Sequence, residues 1–156
     1  MTYCGCGNTS CSNSKDPFGN DFVCDCMMRV IIESPYAAES DFDIQKNEIY
    51  GEFAMRDCIV NYNETPYASH LLLTRKYVLD DKIPEQRKLG IGAGFYWRDV
   101  ATKTVFYTDL GMTPGMVLGI EDCEKKGNPY CVRRLNSELW DEYTEVINSL
   151  EEKRSE

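Results

Sequence analysis

The chain has 156 residues, enough for one domain with a substantial core, and 42% of them are hydrophobic, which is ordinary for a soluble globular protein. Its 26 acidic and 17 basic residues give a net charge of −9, which argues against a nucleic-acid partner bound through its phosphates. No apolar run approaches the roughly 20 residues that cross a bilayer, and no signal peptide is evident, so we expect a cytoplasmic protein without a membrane partner.

Residues 1–27 form a cysteine-rich N-terminal extension without a periodic apolar pattern. Tetrahedral zinc needs four thiolates, and two C-x-C pairs could supply them, although such pairs chelate with more strain than C-x₂-C. In a reducing compartment, cysteines are more often thiols or metal ligands than disulfides. Two interpretations stay open, an extension without metal and a structural zinc site whose candidate ligands are Cys4, Cys6, Cys24 and Cys26.

From residue 28 to residue 156 the apolar pattern predicts one domain of alternating strands and helices. In chain order we predict a strand at 29–33, a helix at 41–61, a weak strand at 67–73, a helix at 84–100, a strand at 104–108, a helix at 114–126, a strand at 130–133 and a helix at 137–153. The second strand is weak because its end, Leu71 to Leu73, could equally be a loop or one helical turn.

This alternation predicts an α/β fold, a three-layer α/β/α sandwich of Rossmann-like or flavodoxin-like type with a mostly parallel sheet of four to five strands. Such sheets bind ligands beyond the carboxyl ends of their strands. Four segments that follow the predicted strands should therefore meet in one crevice: 33–36, 69–70, 109–116 and 133–134.

The stretch 105–120 predicts an anion site, because a buried strand leads through a tight turn into a helix. Asp109 stands at the strand end, Gly111 permits the turn, and Thr113 is a suitable N-cap for the helix. In the alternative, Asp109 is purely structural and caps the turn through the N–H groups of residues 111–113. The ligand-binding candidates of this stretch are Asp109, Gly111, Met112, Thr113, Gly115 and Met116.

Glu33 directly follows an apolar run, where a carboxylate can hydrogen-bond a ribose diol or act as nucleophile or base at an anomeric carbon. Ser34, Pro35 and Tyr36 add a hydroxyl, a rigid turn and a stacking ring beside it. The alternative is a carboxylate that only solvates the end of a strand.

His70 is the only histidine, and Ser69 beside it would let a ligand approach closely. It is either a catalytic group or a structural hydrogen-bonding residue. Arg87, Arg98 and Lys103 could neutralise phosphates, but a charge on a helix or turn usually belongs to a solvated face.

The predicted helix 84–100 contains Gly90, Gly92 and Gly94, each of which costs about 1 kcal/mol relative to alanine. Close packing against the sheet or against a second copy of the chain would require them. With Trp97 nearby, this helix offers a flat contact face, and we expect a homo-oligomer.

Five segments resemble a family of small bacterial and phage proteins that is similar to the nucleoside 2-deoxyribosyltransferases and to the SLOG superfamily of Rossmann-like nucleotide-binding domains. These segments are Glu33–Tyr36, Ala68–Leu71, Leu79–Asp81 with Pro84, Glu85 and Arg87, Gly90–Gly94 and Tyr107–Met116.

In the deoxyribosyltransferases, an Asp-x-Gly-Thr type of turn leads into a helix whose early glutamate attacks the sugar. Asp109, Gly111 and Thr113 follow a similar course, but Met116 and Val117 stand where the glutamate would be. Neither can form a glycosyl ester, so the resemblance favours nucleotide binding over glycosyl transfer.

We therefore expect the chain to bind a nucleotide or nucleotide-derived signal without any cofactor, and to sequester it as a phage-type anti-defence sponge would. The alternative is an N-glycosidic-bond hydrolase or deoxyribosyltransferase-like enzyme with Glu33 as nucleophile or base and His70 or Asp109 assisting. A second alternative is a metal-dependent scaffold that docks a partner through its cysteine-rich extension.

Overall fold

The computed structural model of the protein describes residues 27–155. Their elements are β1 (Met28–Glu33), α1 (Asp41–Tyr62), β2 (Glu64–Tyr67), α2 (Ser69–Leu72), α3 (Pro84–Arg98), β3 (Lys103–Tyr107), α4 (Pro114–Lys126), β4 (Tyr130–Arg133) and α5 (Ser137–Ser155). The predicted zinc ligands in the extension lie outside these residues.

The four strands form one parallel sheet in the order β2-β1-β3-β4. Each connection between strands contains at least one helix, as parallel pairing requires. β1 lies inside the sheet between β2 and β3, and its residues Val30, Ile31 and Ile32 are at most 2% exposed. The predicted α/β class is confirmed, with a sheet of four strands in the described part of the chain.

Helices cover both faces of this sheet. On one face, side chains of β1 and β3 pack against α1 and α5 in a core that includes Val30, Ile32, Val105, Tyr50, Ala54 and Tyr143. On the other face, Phe106 packs against Met116 and Cys123 of α4. Trp97 of α3 stacks beside Tyr67 at the end of β2, with ring centroids 4.8 Å apart.

The second strand lies earlier in the chain than the sequence predicts. β2 ends at Tyr67, where the predicted strand begins, and Leu71 and Leu72 belong to the single helical turn of α2. β2 is an edge strand, which tolerates Pro66. Leu71 is buried close to Gly51 of α1, where an added Cβ would lie only 3.0 Å from the Leu71 side chain. The helical turn of α2 brings Leu71 into this contact.

The start of α4 forms as the sequence predicts. The Thr113 side chain accepts a hydrogen bond from the N–H of Met116 at 3.3 Å, and Pro114 occupies the first turn. Gly111 has a φ of 93°, a left-handed conformation that favours glycine. The strand, the tight turn and the capped helix of residues 105–120 are therefore confirmed.

A buried ionic network ties three strands together beside α1. Glu64 of β2 is 1% exposed and accepts hydrogen bonds from both terminal nitrogens of Arg133, at 2.9 and 3.1 Å. Lys103 lies 2.7 Å from the same carboxylate. Burial alone would raise the pKa of Glu64, but the hydrogen bonds from Arg133 and Lys103 outweigh it and hold the pKa below its ordinary value.

Replacing Glu64 with Gln should lower the free energy of unfolding by about 3 kcal/mol or more at neutral pH, because Arg133 and Lys103 then lose their counter-charge. The folded-state pKa of Glu64 lies below its unfolded-state value, so this contribution is complete above the unfolded-state pKa and disappears as the pH falls through the folded-state pKa. Urea unfolding of both proteins across this pH range measures the difference.

The matched control is Glu142→Gln, because Glu142 forms an exposed ion pair with Arg56. That variant should change the free energy of unfolding by less than about 1 kcal/mol. A Glu64→Gln protein whose stability loss is equally large in acid would contradict the proposed role of the network.

Candidate functional site

A cavity of about 380 Å³ lies at the carboxyl edge of the sheet. Its walls come from the segment after β1, from α2, from the connection between α2 and α3, from α3 itself and from the start of α4. Its size falls within the range of small-molecule sites, and its position matches the edge where parallel sheets bind ligands.

Arg98 fixes one wall of this cavity. It is 5% exposed, and its guanidinium donates to Glu33 Oε1 at 2.8 Å and to Asp122 Oδ2 at 3.0 Å. The ring of Phe95 lies against the guanidinium, 4.3 Å from its carbon. A single buried side chain of α3 therefore joins the end of β1 to α4.

Glu33 keeps one carboxylate oxygen available. Oε1 is held by Arg98, whereas Oε2 has no hydrogen-bonding partner within residues 27–155, and the side chain is 21% exposed. Burial raises the pKa of Glu33 above its ordinary value, while the charge and the hydrogen bond of Arg98 oppose the shift. Such a carboxyl group can accept hydrogen bonds from hydroxyls or exchange a proton.

His70 and Ser34 form a pair at the same edge, with Ser34 Oγ 2.8 Å from His70 Nε2. Burial lowers the pKa of His70 to about 4, so the imidazole is neutral at neutral pH. Its other nitrogen, Nδ1, is buried and has no hydrogen-bonding partner in the described structure. A neutral ring can present Nδ1 as a donor or an acceptor, depending on its tautomer.

The start of α4 forms another part of the cavity wall. Thr113, Pro114, Gly115 and Met116 line it. Pro114 has no N–H and the N–H of Met116 is used by the cap, so the amide of Gly115 is available to a ligand. The positive end of the helix dipole favours an anion at this point.

Two of the glycines in α3 allow a close approach beside the cavity. A Cβ at Gly94 would lie 2.8 Å from Ser69 Oγ and 3.1 Å from Ser69 Cβ, and one at Gly90 would lie 3.3 Å from Leu79. A Cβ at Gly92 would have no neighbour within 4 Å. The close contacts of Gly90 and Gly94 are therefore with the connecting segment and α2, rather than with the sheet.

Most of the residues that the sequence proposes for the site line this cavity. They are Glu33, Ser34, Tyr36, Ser69, His70, Thr113, Gly115 and Met116. Pro35, Gly111 and Met112 do not line it; Pro35 is buried behind the rim, and the other two are exposed in the turn before α4.

Asp109 lies away from the cavity, and its partners differ from those that the sequence predicts. Its carboxylate accepts hydrogen bonds from the Tyr50 hydroxyl at 2.7 Å and from the Leu135 N–H at 2.9 Å. The expected bonds from the N–H groups of residues 111–113 are not formed. Asp109 thus joins the end of β3 to α1 and to the segment before α5, because Tyr50 reaches it from the face that α1 and α5 cover.

Arg98 is buried in the cavity wall, whereas the sequence favours a solvated helix face for this residue. The signal was available, because Gly90, Gly94 and Arg98 are spaced by four residues and so share one face of α3. Arg87 also lines the cavity, whereas Lys103 belongs to the Glu64 network. Asp81 and Gln86 complete this wall without any local signal in the sequence.

Residues 27–155 contain no cluster of three or more His, Cys, Asp or Glu side chains placed to hold a metal ion. Within the same residues, no helix is long and apolar enough to cross a membrane.

Residues 28–133 match the family described as a domain of unknown function, DUF7768. The matched segment contains the whole sheet and every residue that lines the cavity. Among curated proteins, none matches the chain.

Gly94→Ala should lower the free energy of unfolding relative to Gly92→Ala by about 1–2 kcal/mol, because Ser69 Oγ can rotate away but Ser69 Cβ cannot. Gly92→Ala should itself stabilise the protein by up to about 1 kcal/mol through helix propensity. Chemical unfolding of both variants checks this pair, and equal stability would mean that α2 and α3 do not require a glycine at their contact.

Proposed function

We propose that the chain, which belongs to the DUF7768 family, binds a nucleotide or a nucleotide-derived small molecule in the cavity at the carboxyl edge of its sheet. One observation carries this proposal: a single cavity has a carboxylate, Glu33, on one wall and a helix start with a free amide, Gly115, on another. A sugar with hydroxyls and a phosphate offers the complementary groups.

Glu33 would bind the sugar in this proposal. Oε2 can accept hydrogen bonds from ribose hydroxyls, while Arg98 holds Oε1 and so fixes the carboxylate in one orientation. Charge-assisted hydrogen bonds of this kind are stronger than neutral ones. His70 adds a neutral imidazole ring to the cavity wall.

The start of α4 would bind phosphate through the Gly115 amide and the helix dipole. The resemblance to the nucleoside 2-deoxyribosyltransferases and to SLOG domains supports this assignment. The proposed biological role, sequestration of a nucleotide signal as in a phage anti-defence sponge, rests on that resemblance.

A second candidate function is hydrolysis or transfer at an N-glycosidic bond of a nucleoside or nucleotide. The raised pKa of Glu33 and its free oxygen favour this candidate, because a carboxyl group with these properties can act as nucleophile or as general acid and base. His70 lies at the same cavity and would assist, whereas Asp109 is engaged by Tyr50 elsewhere.

Self-association stays a prediction. Exposed apolar side chains on α3, among them Leu89, Ile91, Tyr96 and Trp97, are where we expect a second copy to dock.

A thermal-shift screen against nucleosides and nucleotides should find a stabilising ligand, and calorimetry should show that Glu33→Gln weakens its affinity at least about tenfold. The matched control is Glu39→Gln, which makes the same charge change at an exposed position that does not line the cavity, and should leave the affinity unchanged. Unfolding curves of both variants verify that they fold. Equal affinity of the Glu33→Gln and Glu39→Gln proteins would contradict the proposal.

Chromatography of the same mixtures separates the two candidate functions. A binding protein should return its ligand intact. Release of free base would establish the enzyme instead, and Glu33→Gln should then abolish turnover.

A further inference from the structure

A second cavity, of about 420 Å³, adjoins the candidate site. We call the first the inner cavity and the second the outer cavity. They share part of their walls, namely Tyr36, Ala37, Thr74, Leu79, Asp81 and Arg87. Because the same residues border both spaces, the two cavities adjoin, and we call them together the cleft.

The charges along the cleft are unevenly distributed. In the inner cavity, both cations are paired with a carboxylate, Arg98 with Glu33 and Arg87 with Asp81. The outer cavity adds Lys76 and Lys82 against one further acid, Asp80. The outer cavity therefore adds one cation, Lys76, without a carboxylate partner in the described residues.

The two lysines of the outer cavity differ in how they are paired. Lys76 has no carboxylate partner in the described part of the chain. Its ammonium group lies 5.1 Å from the centre of the Tyr77 ring. Lys82 pairs with Asp41, but both side chains are largely exposed, at 73% and 92%, so this pair is weak.

Arg87 lies at the boundary between the two cavities. It uses Nη1 to contact Asp81 at 2.7 Å, and its side chain is 46% exposed. Its remaining N–H groups can therefore turn to a phosphate at this boundary, and a guanidinium binds phosphate oxygens in a two-pronged geometry. Tyr36 adds an aromatic ring to the wall that both cavities share.

We propose that the ligand is bipartite: a nucleoside phosphate in the inner cavity, joined through a second phosphate at Arg87 to a further polar group in the outer cavity. Its chemical class is that of nucleoside diphosphates that carry a second sugar or nucleoside. This inference rests on the proposed function, because it assumes that the inner cavity holds the nucleoside.

Three series of ligands test the inference, each extended stepwise: AMP, ADP and ADP-ribose; UMP, UDP and UDP-glucose; GMP, GDP and GDP-mannose. Calorimetry on the full chain should show, in the series that binds, a gain of at least about tenfold in affinity from the mononucleotide to the extended ligand. Lys76→Gln should remove most of this gain and leave the affinity for the mononucleotide unchanged, because Lys76 lines the outer cavity alone. Arg87→Gln should also remove most of the gain.

Lys88→Gln is the matched control, because Lys88 is exposed on α3 and lines neither cavity. It should retain the full gain. A mononucleotide that binds in a Glu33-dependent manner, with no gain on extension, would overturn the bipartite ligand and leave the proposed function standing. If no member of any series binds, both fail, and a gain that survives Lys76→Gln and Arg87→Gln would also overturn the inference.

Discussion

The candidate site depends on one buried guanidinium. Arg98 reaches from α3 between β1 and α4, where it binds Glu33 and Asp122 at once. Space for it exists because α4 has a glycine at this contact: a Cβ at Gly119 would lie 3.1 Å from Arg98 Nη2 and 3.1 Å from the ring of Phe106. Burying a charge is costly, and such pairs add little net stability. What the pair supplies here is a fixed position for Glu33 and for both helices.

Two polar networks lie on opposite faces of the sheet, and they differ in how many of their polar atoms have hydrogen-bonding partners. In the Glu64 network, both carboxylate oxygens have cationic partners. In the cavity, by contrast, Glu33 Oε2, His70 Nδ1 and Arg98 Nε have no hydrogen-bonding partner within residues 27–155. Since buried polar groups are normally paired, the first network is structural, whereas the second leaves Glu33 Oε2 as an acceptor for a ligand.

The sequence predicted the elements whose signals are local. The α4 start followed from Thr113, Pro114 and the turn glycine, and the buried strands followed from their apolar runs. Errors arose where the partner was distant in the chain. Tyr50 is 59 residues from Asp109, and no local pattern indicates that its hydroxyl holds that carboxylate.

The role of Arg98 in the site was missed for the same reason, because its partners are distant in the chain. Its burial depends on Glu33, 65 residues away, and on the glycine that α4 presents to it. β2 lies earlier in the chain than the sequence predicts, because an edge strand tolerates a proline and because Leu71 packs in the core beside α1. Sequence alone thus located the edge of the sheet and eight of the residues that line the cavity, but not the cation that organises them.

The central claim is that this cavity, built around Glu33 and Arg98, is where the protein binds its ligand. The most direct measurement is a crystal structure with a bound mononucleotide. Sugar hydroxyls should lie within hydrogen-bonding distance of Glu33 Oε2, and the phosphate should lie at the Gly115 amide. A nucleotide seated elsewhere, for example in the surface groove between Lys46 and Arg154, with the cavity occupied only by water, would contradict it.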